Sequence, residues 1–311
     1  LRGAPRGDER KGGAVLITGE PAGPGQAQTV LGPVDATDLG ITLAHDHLVF
    51  DGTFMYVDPP DGADRHLADE EITLDNRGWV AYHWTSNHHN VSLDSEAVAI
   101  AELGRFLAAG GRTIVDPTNL GLGRDPEPVV RIAEATGAQI ILGAGYYLGG
   151  THPDDMGDRS VDDLTLEIVS DIREGIDGTG VRAGVIGEIG CTYPWLPNEK
   201  KSLRAAVAAQ VETGAPLMVH PGRDPMSPVE IAEIVDSEGG DLSRTTICHI
   251  DRTCTDRSWL ADMAATGCYL EYDLFGNESS WYPPNPAVDM PSDAERMDVI
   301  LWHFEHGLEG Q

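Results

Sequence analysis

Seven short apolar runs, rich in β-branched residues, are the feature that most restricts how this chain can fold. They alternate with amphipathic segments, a pattern typical of parallel strands joined by crossover helices. The predicted strands span residues 40–48, 113–117, 139–146, 183–189, 216–220, 245–250 and 268–273. Between two of them, Asp125 and Pro126 are a helix N-cap and a first-turn proline, and Gly137 ends that helix. The pattern predicts an α/β fold of the TIM type, a (β/α)8 barrel.

The two ends of the chain depart from this rhythm. The last predicted helix begins at a capping box of Ser292 and Glu295 and runs to His306. Because only residues 308–311 follow Gly307, the prediction is a barrel that lacks its eighth strand and helix, spanning residues 27–311. Residues 1–26 are rich in Gly, Pro and Arg and show no periodicity, so a disordered leader is expected there.

The charge balance argues against two classes of partner. With 51 acidic and 21 basic residues, the formal charge of −30 repels nucleic acid and anionic membrane surfaces. No apolar run in the sequence approaches the roughly 18 residues of a membrane helix, and residues 13–19 are too short for a secretory signal. We therefore expect a cytoplasmic protein that acts on a small molecule. The three lysines lie outside the predicted core strands, which argues against Schiff-base chemistry.

The first predicted strand ends in the sequence Ala-His-Asp-His-Leu. Alternate side chains of a strand share a face, so His45 and His47 are expected to project together while Asp46 points away. Such a pair can clamp a metal ion with two ring nitrogens. The plainer alternative is that polar residues simply mark the end of a strand.

Three more ionisable residues end predicted strands four, five and six: Glu188, His220 and His249. Burying such groups without partners would cost several kcal/mol, and a shared cation removes that cost. Four imidazoles and a carboxylate suit two divalent cations, with zinc as the default metal and Glu188 as the bridging ligand. The alternative is a buried hydrogen-bond network of neutral histidines without metal.

Such a pair of cations predicts hydrolysis. Two cations about 3.5 to 4 Å apart would acidify a bridging water and stabilise charge on a carbonyl or phosphoryl oxygen. The expected reaction is cleavage of an amide, ester or phosphoester bond by a metal-bridging hydroxide. The base requires a carboxylate, and of Asp116, Asp251 and Asp273, which all follow strands, Asp273 is the predicted catalytic residue. Each of the three could instead orient a histidine.

Two arginines follow predicted metal ligands by three residues. Arg223 is predicted to bind substrate and Arg252 to assist catalysis, because guanidinium groups bind carboxylate, sulfonate or phosphate. In so acidic a chain, pairing with a neighbouring Asp or Glu is the plainer expectation for both.

Two inserts after strands, residues 51–92 and 274–291, are expected at the carboxyl end of the barrel, where substrates bind. From the second insert Trp281 and Tyr282 are predicted to line the substrate pocket, together with Tyr146 at the end of the third strand. Loop aromatics anchor loops to the scaffold just as often.

Seven segments give the chain its resemblance to the phosphotriesterase family of the amidohydrolase superfamily, from about residue 29 to residue 307. The segments are TVLGPVDATDLGITLAHDH, GRTIVDPTNLGLGRDP, GAGYY, GVIGEIGCTYP, VHPGR, CHIDRT and LEYDLFG, and they look most like the branch called phosphotriesterase-related proteins. The resemblance implies that His45 and His47 bind the more buried metal. It also implies that His220 and His249 bind the more exposed metal, with Glu188 between the two.

The chain departs from the family pattern in two ways. The family usually bridges its metals with a carboxylated lysine, and here Glu188 takes that place. This makes an amide or ester hydrolase a better guide than an organophosphate hydrolase or a lactonase. The family's last ligand and base, an aspartate after strand eight, would lie beyond Gln311. The resemblance therefore implies a C-terminally truncated chain with weak metal binding and little turnover.

Two other functions stay open at this point. One is a mononuclear, deaminase-type zinc hydrolase that uses His45, His47 and His220. The other is a metal-binding relic that has lost its base and has a structural role. Metal stoichiometry separates the binuclear from the mononuclear reading. The oligomeric state is open, and a homodimer is one arrangement compatible with the sequence.

Overall fold

A computed structural model of the chain describes residues 20–252, 254, 256–278, 282, 284–285 and 288–311. Its strands are β1 Gln26–Thr29, β2 Gly32–Asp35, β3 Ile41–Leu43, β4 Phe50–Asp51, β5 Ser92–Leu93, β6 Gly111–Asp116, β7 Gln139–Ala144, β8 Val185–Gly190, β9 Leu217–His220, β10 Thr245–Ile247 and β11 Tyr269–Leu270. Its α-helices are α1 Arg77–Tyr82, α2 Glu96–Ala108, α3 Pro126–Thr136, α4 Val161–Arg173, α5 Pro197–Thr213, α6 Met226–Ser237, α7 Arg257–Ala264 and α8 Asp293–Glu305. A disordered leader was predicted over residues 1–26. Residues 1–19 of that segment lie outside the described residues.

Seven of the strands form one parallel sheet in the order β11-β10-β9-β8-β7-β6-β3. These are the seven strands predicted from the apolar runs, and the α/β fold is confirmed. Each strand is followed by a helix before the next one begins, as the crossover pattern requires. In the part of the chain that is described, β3 and β11 are the two edges of the sheet.

The first strand of the sheet is shorter than expected. We predicted a strand over residues 40–48, but β3 ends at Leu43 and the two histidines lie in the segment beyond it. The backbone nitrogen of Asp46 still donates to the carbonyl oxygen of Val115, at 3.0 Å. This contact keeps the segment alongside β6 after regular pairing has ended.

The two faces of the sheet carry different cores. Alternate residues of β7 separate them, because Ile140 and Leu142 pack in the large core formed with the helices, whereas Ile141 points the other way. Ile141, Val185, Met218 and Cys248 form a small inner cluster. The carboxyl ends of the strands lie above this cluster.

The predicted helix caps are present. Asp125 accepts from the backbone of Glu127, and Gly137 ends α3 with a positive φ. Ser292 and Glu295 form the capping box of α8, which ends at Glu305, with His306 as its C-cap. The insert after β3 begins and ends in the antiparallel pair of β4 and β5, so its two ends lie side by side. None of the described helices combines the length and the apolar character that a bilayer crossing requires.

Candidate metal centre

Glu188 is the centre of the polar cluster at the carboxyl end of the sheet. It lies in β8, the central strand of the sheet, and is 2% exposed. Its Oε2 atom lies 2.7 Å from Nδ1 of His220, 3.2 Å from Nε2 of His249 and 3.6 Å from Nε2 of His45. Its Oε1 atom lies 3.4 Å from Nε2 of His47. The four predicted histidines therefore all direct a ring nitrogen at one carboxylate.

Close packing of three strands brings Glu188 to this position. Gly187 has a φ of +135°, and a Cβ there would lie 2.4 Å from the carbonyl oxygen of Met218 in β9. A Cβ on Gly143 in β7 would lie 2.0 Å from the carbonyl oxygen of Gly187. Side chains at either glycine would push the strands apart. The Gly-Ala-Gly segment at 143–145 thus serves strand packing, in agreement with the absence of a complete nucleotide-binding motif.

The other nitrogens of the first histidine pair have partners that fix the rings. Nδ1 of His45 lies 3.0 Å from Oε2 of Glu271. Nδ1 of His47 lies 2.8 Å from Oγ1 of Thr118, whose hydroxyl donates to Oδ1 of Asp116 at 2.5 Å. Since both partners can accept from Nδ1–H, the Nε2 atom of each ring is the one that carries a lone pair when the imidazole is neutral, and it points at Glu188.

His220 and His249 are held by different groups. Nη2 of Arg252 lies 3.0 Å from Nε2 of His220 and 2.8 Å from the carbonyl oxygen of Pro221. Oδ2 of Asp273 lies 2.6 Å from Nδ1 of His249 and 3.6 Å from Nδ1 of His45. His249 has a φ of +54°, an uncommon backbone conformation that aims its ring at the cluster.

The ionisation of the cluster follows from burial and from these contacts. Burial alone would lower the pKa of His45, but Glu188 and Glu271 outweigh it and raise that pKa well above its ordinary value. The pKa of Glu188 is lowered well below its usual range, because the facing imidazoles outweigh the opposing effect of burial. Burial, and then the charge of Arg252, lower the pKa of His220 well below normal.

The donor set fits divalent cations. Among the described residues, Nε2 of His45 is buried without a hydrogen-bond partner, and it lies against a carboxylate oxygen. One ligand atom each from His45, Glu188 and His249 lie within 4.8 Å of one another, and so do ligand atoms of His45, Cys248 and Glu271. Imidazole nitrogens and a carboxylate are the ligands that zinc and similar metals prefer. A cation bound by these atoms would take the place of the proton that Glu188 and Glu271 favour on His45.

A cavity of about 980 Å³ opens over this cluster. It is lined by His47, Glu188, His220 and His249, and by residues of both inserts. A second cavity of about 970 Å³ lies against the inner face of the sheet and is lined mainly by apolar residues such as Val115, Ile141 and Met218. Because Glu188 and three of the four histidines around it line the first cavity, we take that cavity as the functional site.

The predicted substrate residues have different locations. Arg223 and Tyr282 line the cavity over the cluster, whereas Trp281 lies outside the described residues. Tyr146 is 1% exposed and packs under Arg159 in the large core, so the prediction that it faces the substrate is wrong. Its neighbour Tyr147 lines the cavity instead, with its hydroxyl 3.1 Å from Nδ1 of His220. The reason is that adjacent residues of an extended segment point to opposite sides.

Arginine pairing was also predicted wrongly. Within the described part of the chain, neither Arg223 nor Arg252 has a carboxylate oxygen within 4.0 Å. Asp251, which follows the same strand as Arg252, pairs instead with the buried Arg296 at 2.7 Å. This pair gives Asp251 a structural role.

Sequence reasoning missed Glu271, Tyr147, Thr118 and Cys248. Glu271 lies inside the predicted strand 268–273, in the segment Leu-Glu-Tyr-Asp, from which only Asp273 was selected as a candidate. The alternation of side chains places Glu271 and Asp273 on the same face, and that signal could have found it. For Thr118, the two-residue separation from Asp116 is a comparable signal.

Comparisons with known proteins show the family to which the chain belongs. A family model described as the phosphotriesterase family matches residues 25–311. A phosphotriesterase-related protein of Nematostella vectensis is 46% identical over 288 residues, which cover 92% of this chain and 82% of that protein. The N-acetyltaurine hydrolases of Salmo salar and Homo sapiens are 42% and 40% identical over the same shares of both chains.

Solved structures show the same relationship. A resiniferatoxin-binding protein from Rhodobacter sphaeroides superposes with a TM-score of 0.88 at 40% identity, covering 91% of this chain and 79% of that one. A phosphotriesterase homology protein from Escherichia coli, complexed with phosphate in its active site, superposes with a TM-score of 0.66 at 26% identity. That match covers 87% of this chain and 79% of the other.

Proposed function

Since this chain belongs to the phosphotriesterase family, we propose that it is a metal-dependent hydrolase that cleaves amide bonds in small N-acyl substrates. The observation that carries the proposal is the convergence of His45, His47, His220 and His249 on the two oxygens of Glu188. The relatives named N-acetyltaurine hydrolases, at 40–42% identity, favour an amide over an ester or a phosphoester. Glu188 in place of a bridging lysine supports the same choice.

We propose two divalent cations at this site. His45 and His47 would hold one, His220 and His249 the other, and Glu188 both. When bound, the cations would supply a more acidic water and a positive charge next to the oxygen on which negative charge develops. In the overall reaction water adds across the amide: a C–O bond forms, the C–N bond breaks, and an acid and an amine result.

The surrounding residues have roles that follow from their contacts. Glu271 and the Thr118–Asp116 pair keep the protons of His45 and His47 on Nδ1, which leaves Nε2 free to bind. Arg252 holds the ring of His220 from the opposite side. Burial, followed by the charge of Glu188, raises the pKa of Tyr147 well above its ordinary value. The Tyr147 phenol therefore keeps its proton and can donate a hydrogen bond to a substrate carbonyl oxygen in the cavity.

The sequence predicted Asp273 as the catalytic base, but its contacts fit a role in orienting a histidine better. Its Oδ2 atom contacts His249 and its side chain is 10% exposed. Its pKa is lowered, since the nearby imidazoles of His249 and His45 outweigh burial. These contacts support the alternative that Asp273 orients His249.

The test is a metal titration combined with a substrate screen. Metal-stripped protein is titrated with Zn²⁺ by calorimetry in buffers of different ionisation enthalpy. We expect two equivalents to bind with release of protons, because a cation displaces the proton that the carboxylate of Glu188 stabilises on His45. One equivalent would favour the mononuclear alternative.

The zinc-loaded protein is then assayed with N-acetyltaurine, a γ-lactone and an aryl phosphoester. We expect hydrolysis of the amide, and loss of that activity after chelation. Turnover of the lactone or the phosphoester without turnover of any N-acyl compound would contradict the proposed bond type. Metal binding without turnover of any of the three would favour the relic.

A further inference from the structure

The cavity over the metal centre is locally cationic in a strongly acidic protein. Arg77, Arg223 and Arg252 line it, and among the described residues that line it the carboxylates are Glu188 and Glu278. Several arginines elsewhere in the described chain pair with carboxylates, for example Arg124 with Asp171 and Arg296 with Asp251. The three cavity arginines have no carboxylate oxygen within 4.0 Å in the described part of the chain. Their charge is therefore available to a ligand or to the metal centre.

Arg252 is already engaged at the metal centre. It is 5% exposed, and its Nη2 atom contacts Nε2 of His220 and the carbonyl oxygen of Pro221. Such a buried and occupied guanidinium is poorly suited to bind a substrate group. Arg77 is the opposite case, since it is exposed at the start of α1 and its guanidinium has no hydrogen bond to the described residues.

Arg223 is both held in place and unoccupied. Its Nε atom donates to the hydroxyl of Tyr282 at 2.8 Å, and its backbone carbonyl accepts from Nδ2 of Asn285 at 3.1 Å. The backbone of Asn285 bonds in turn to that of Tyr282, at 2.9 Å. This short turn fixes the orientation of the guanidinium. Neither Nη atom has a hydrogen-bond acceptor among the described residues, and the side chain is half-buried.

Arg223 faces the same cavity as the proposed metal ligands. It lines that cavity together with His220 and with Tyr147, whose hydroxyl lies 3.1 Å from Nδ1 of His220. Two parallel N–H groups at the end of a guanidinium match two oxygens of a carboxylate or a sulfonate. Because a net charge of −30 repels anions, an anionic substrate would need such a local positive group.

We propose that Arg223 binds an anionic group, a sulfonate or a carboxylate, on the part of the substrate that leaves as the amine, and so selects charged over neutral N-acyl substrates. This inference rests on the proposed function, because it assumes that an N-acyl substrate occupies the cavity. Tyr282 is the positioning residue that keeps the guanidinium in its binding orientation.

The test compares substrates that differ in charge. N-acetyltaurine carries a sulfonate, N-acetyl-β-alanine a carboxylate and N-acetylethanolamine no charge. We measure the ratio of kcat/KM for each anion to kcat/KM for the neutral compound in the zinc-loaded wild type, Arg223→Gln and Arg223→Lys. The matched control is Arg77→Gln, which removes an equal charge from the same cavity.

Arg223→Gln is expected to lower the ratio by roughly 10- to 100-fold, mainly through KM, because it removes a charged hydrogen-bond pair. Arg223→Lys should recover part of the ratio, since it restores the charge but not the two-point contact. Arg77→Gln should change the ratio by less than about 3-fold, because an exposed arginine on the rim contributes little. A ratio that is unchanged in Arg223→Gln, or lost in Arg77→Gln instead, overturns the proposal.

Direct binding separates this inference from the proposed function. Calorimetry of taurine with the zinc-loaded wild type and with Arg223→Gln reports the contact whether or not an amide is hydrolysed. If no N-acyl compound is turned over, the proposed function fails, and the inference on Arg223 is decided by binding alone. Weaker binding to Arg223→Gln than to the wild type supports it, and equal or undetectable binding to both overturns it.

Discussion

Nδ1 of His45 lies 3.0 Å from Oε2 of Glu271, and this contact joins the two edges of the sheet. His45 follows β3 and Glu271 follows β11, so the residues are 226 positions apart in the chain. The sheet must curl until the side chains beyond its first and last strands touch. The same contact fixes the tautomer of a proposed metal ligand, and it therefore couples the curvature of the sheet to the site.

Replacing Glu271 is expected to weaken metal binding. Glu271→Ala removes the acceptor for Nδ1 of His45 and should lower zinc affinity by about 10- to 100-fold, measured by competition with a chromophoric chelator. Glu271→Gln keeps an oxygen acceptor and should lose less. Glu134→Ala, which removes an exposed carboxylate of α3, is the control for net charge. Wild-type affinity in Glu271→Ala would contradict the role given to this contact.

Replacing Asp273 distinguishes orientation from base catalysis. If Asp273 orients His249, Asp273→Asn should weaken the binding of one zinc equivalent, and activity should return as zinc is added in excess. We expect this outcome, because Oδ2 of Asp273 lies 2.6 Å from Nδ1 of His249. A variant that binds two equivalents normally while kcat falls by about 10²- to 10⁴-fold would instead identify Asp273 as the base.

The buried ion pair between Arg124 and Asp171 is expected to be important for stability. Nη1 of Arg124 lies 2.7 Å from Oδ2 of Asp171, and the two side chains are 1% and 7% exposed. Arg124→Met leaves a buried carboxylate unpaired and should lower the free energy of unfolding by about 3–5 kcal/mol, measured by urea denaturation. Arg131→Met, which breaks the exposed pair with Glu96, should have a much smaller effect.

The cost of Arg124→Met should also depend on pH. Burial already raises the pKa of Asp171 above its ordinary value, in spite of Arg124. Without the arginine the folded-state pKa rises further, so the folded state takes up a proton before the unfolded state does as the pH falls. The destabilisation should therefore shrink toward acidic pH. A cost independent of pH would mean that Asp171 stays ionised in the variant.

His152 should make the metal-free protein sensitive to mild acid. Its Nε2 atom lies 2.8 Å from the carbonyl oxygen of Tyr147, and burial lowers its pKa from 6.5. Because the unfolded state takes up the proton first, stability should fall as the pH drops below this value. His152→Gln can still donate to Tyr147. It should show a smaller loss of Tm than the wild type between about pH 7.5 and about pH 5.5, and an identical loss would contradict the assignment.

Much of the site could be predicted because parallel strands end at a common edge. Glu188, His220 and His249 each stand at or just beyond the end of an apolar run, and this position alone brings their side chains together once the sheet forms. The spacing of His45 and His47 added the fourth and fifth ligand positions. These inferences need only the order of strands and their direction.

Contacts across the sheet could not be predicted in the same way. Whether Arg223 faces a carboxylate or Tyr282 depends on how a long insert folds back, and the sequence contains no periodicity there to decide it. Whether Tyr146 or Tyr147 faces the cavity depends on where β7 ends, which shifts the alternation by one residue.

By itself, the sequence determined the parallel α/β sheet, the crossover helices and the side chains at the carboxyl ends, because hydrophobic periodicity and strand ends are local properties. Only the tertiary structure decided that Glu271 meets His45, that Arg252 is engaged by His220 and that Arg223 keeps its Nη atoms free. The reason is that these contacts depend on the curvature of the sheet and the path of the inserts. Both arise from packing between residues far apart in the chain.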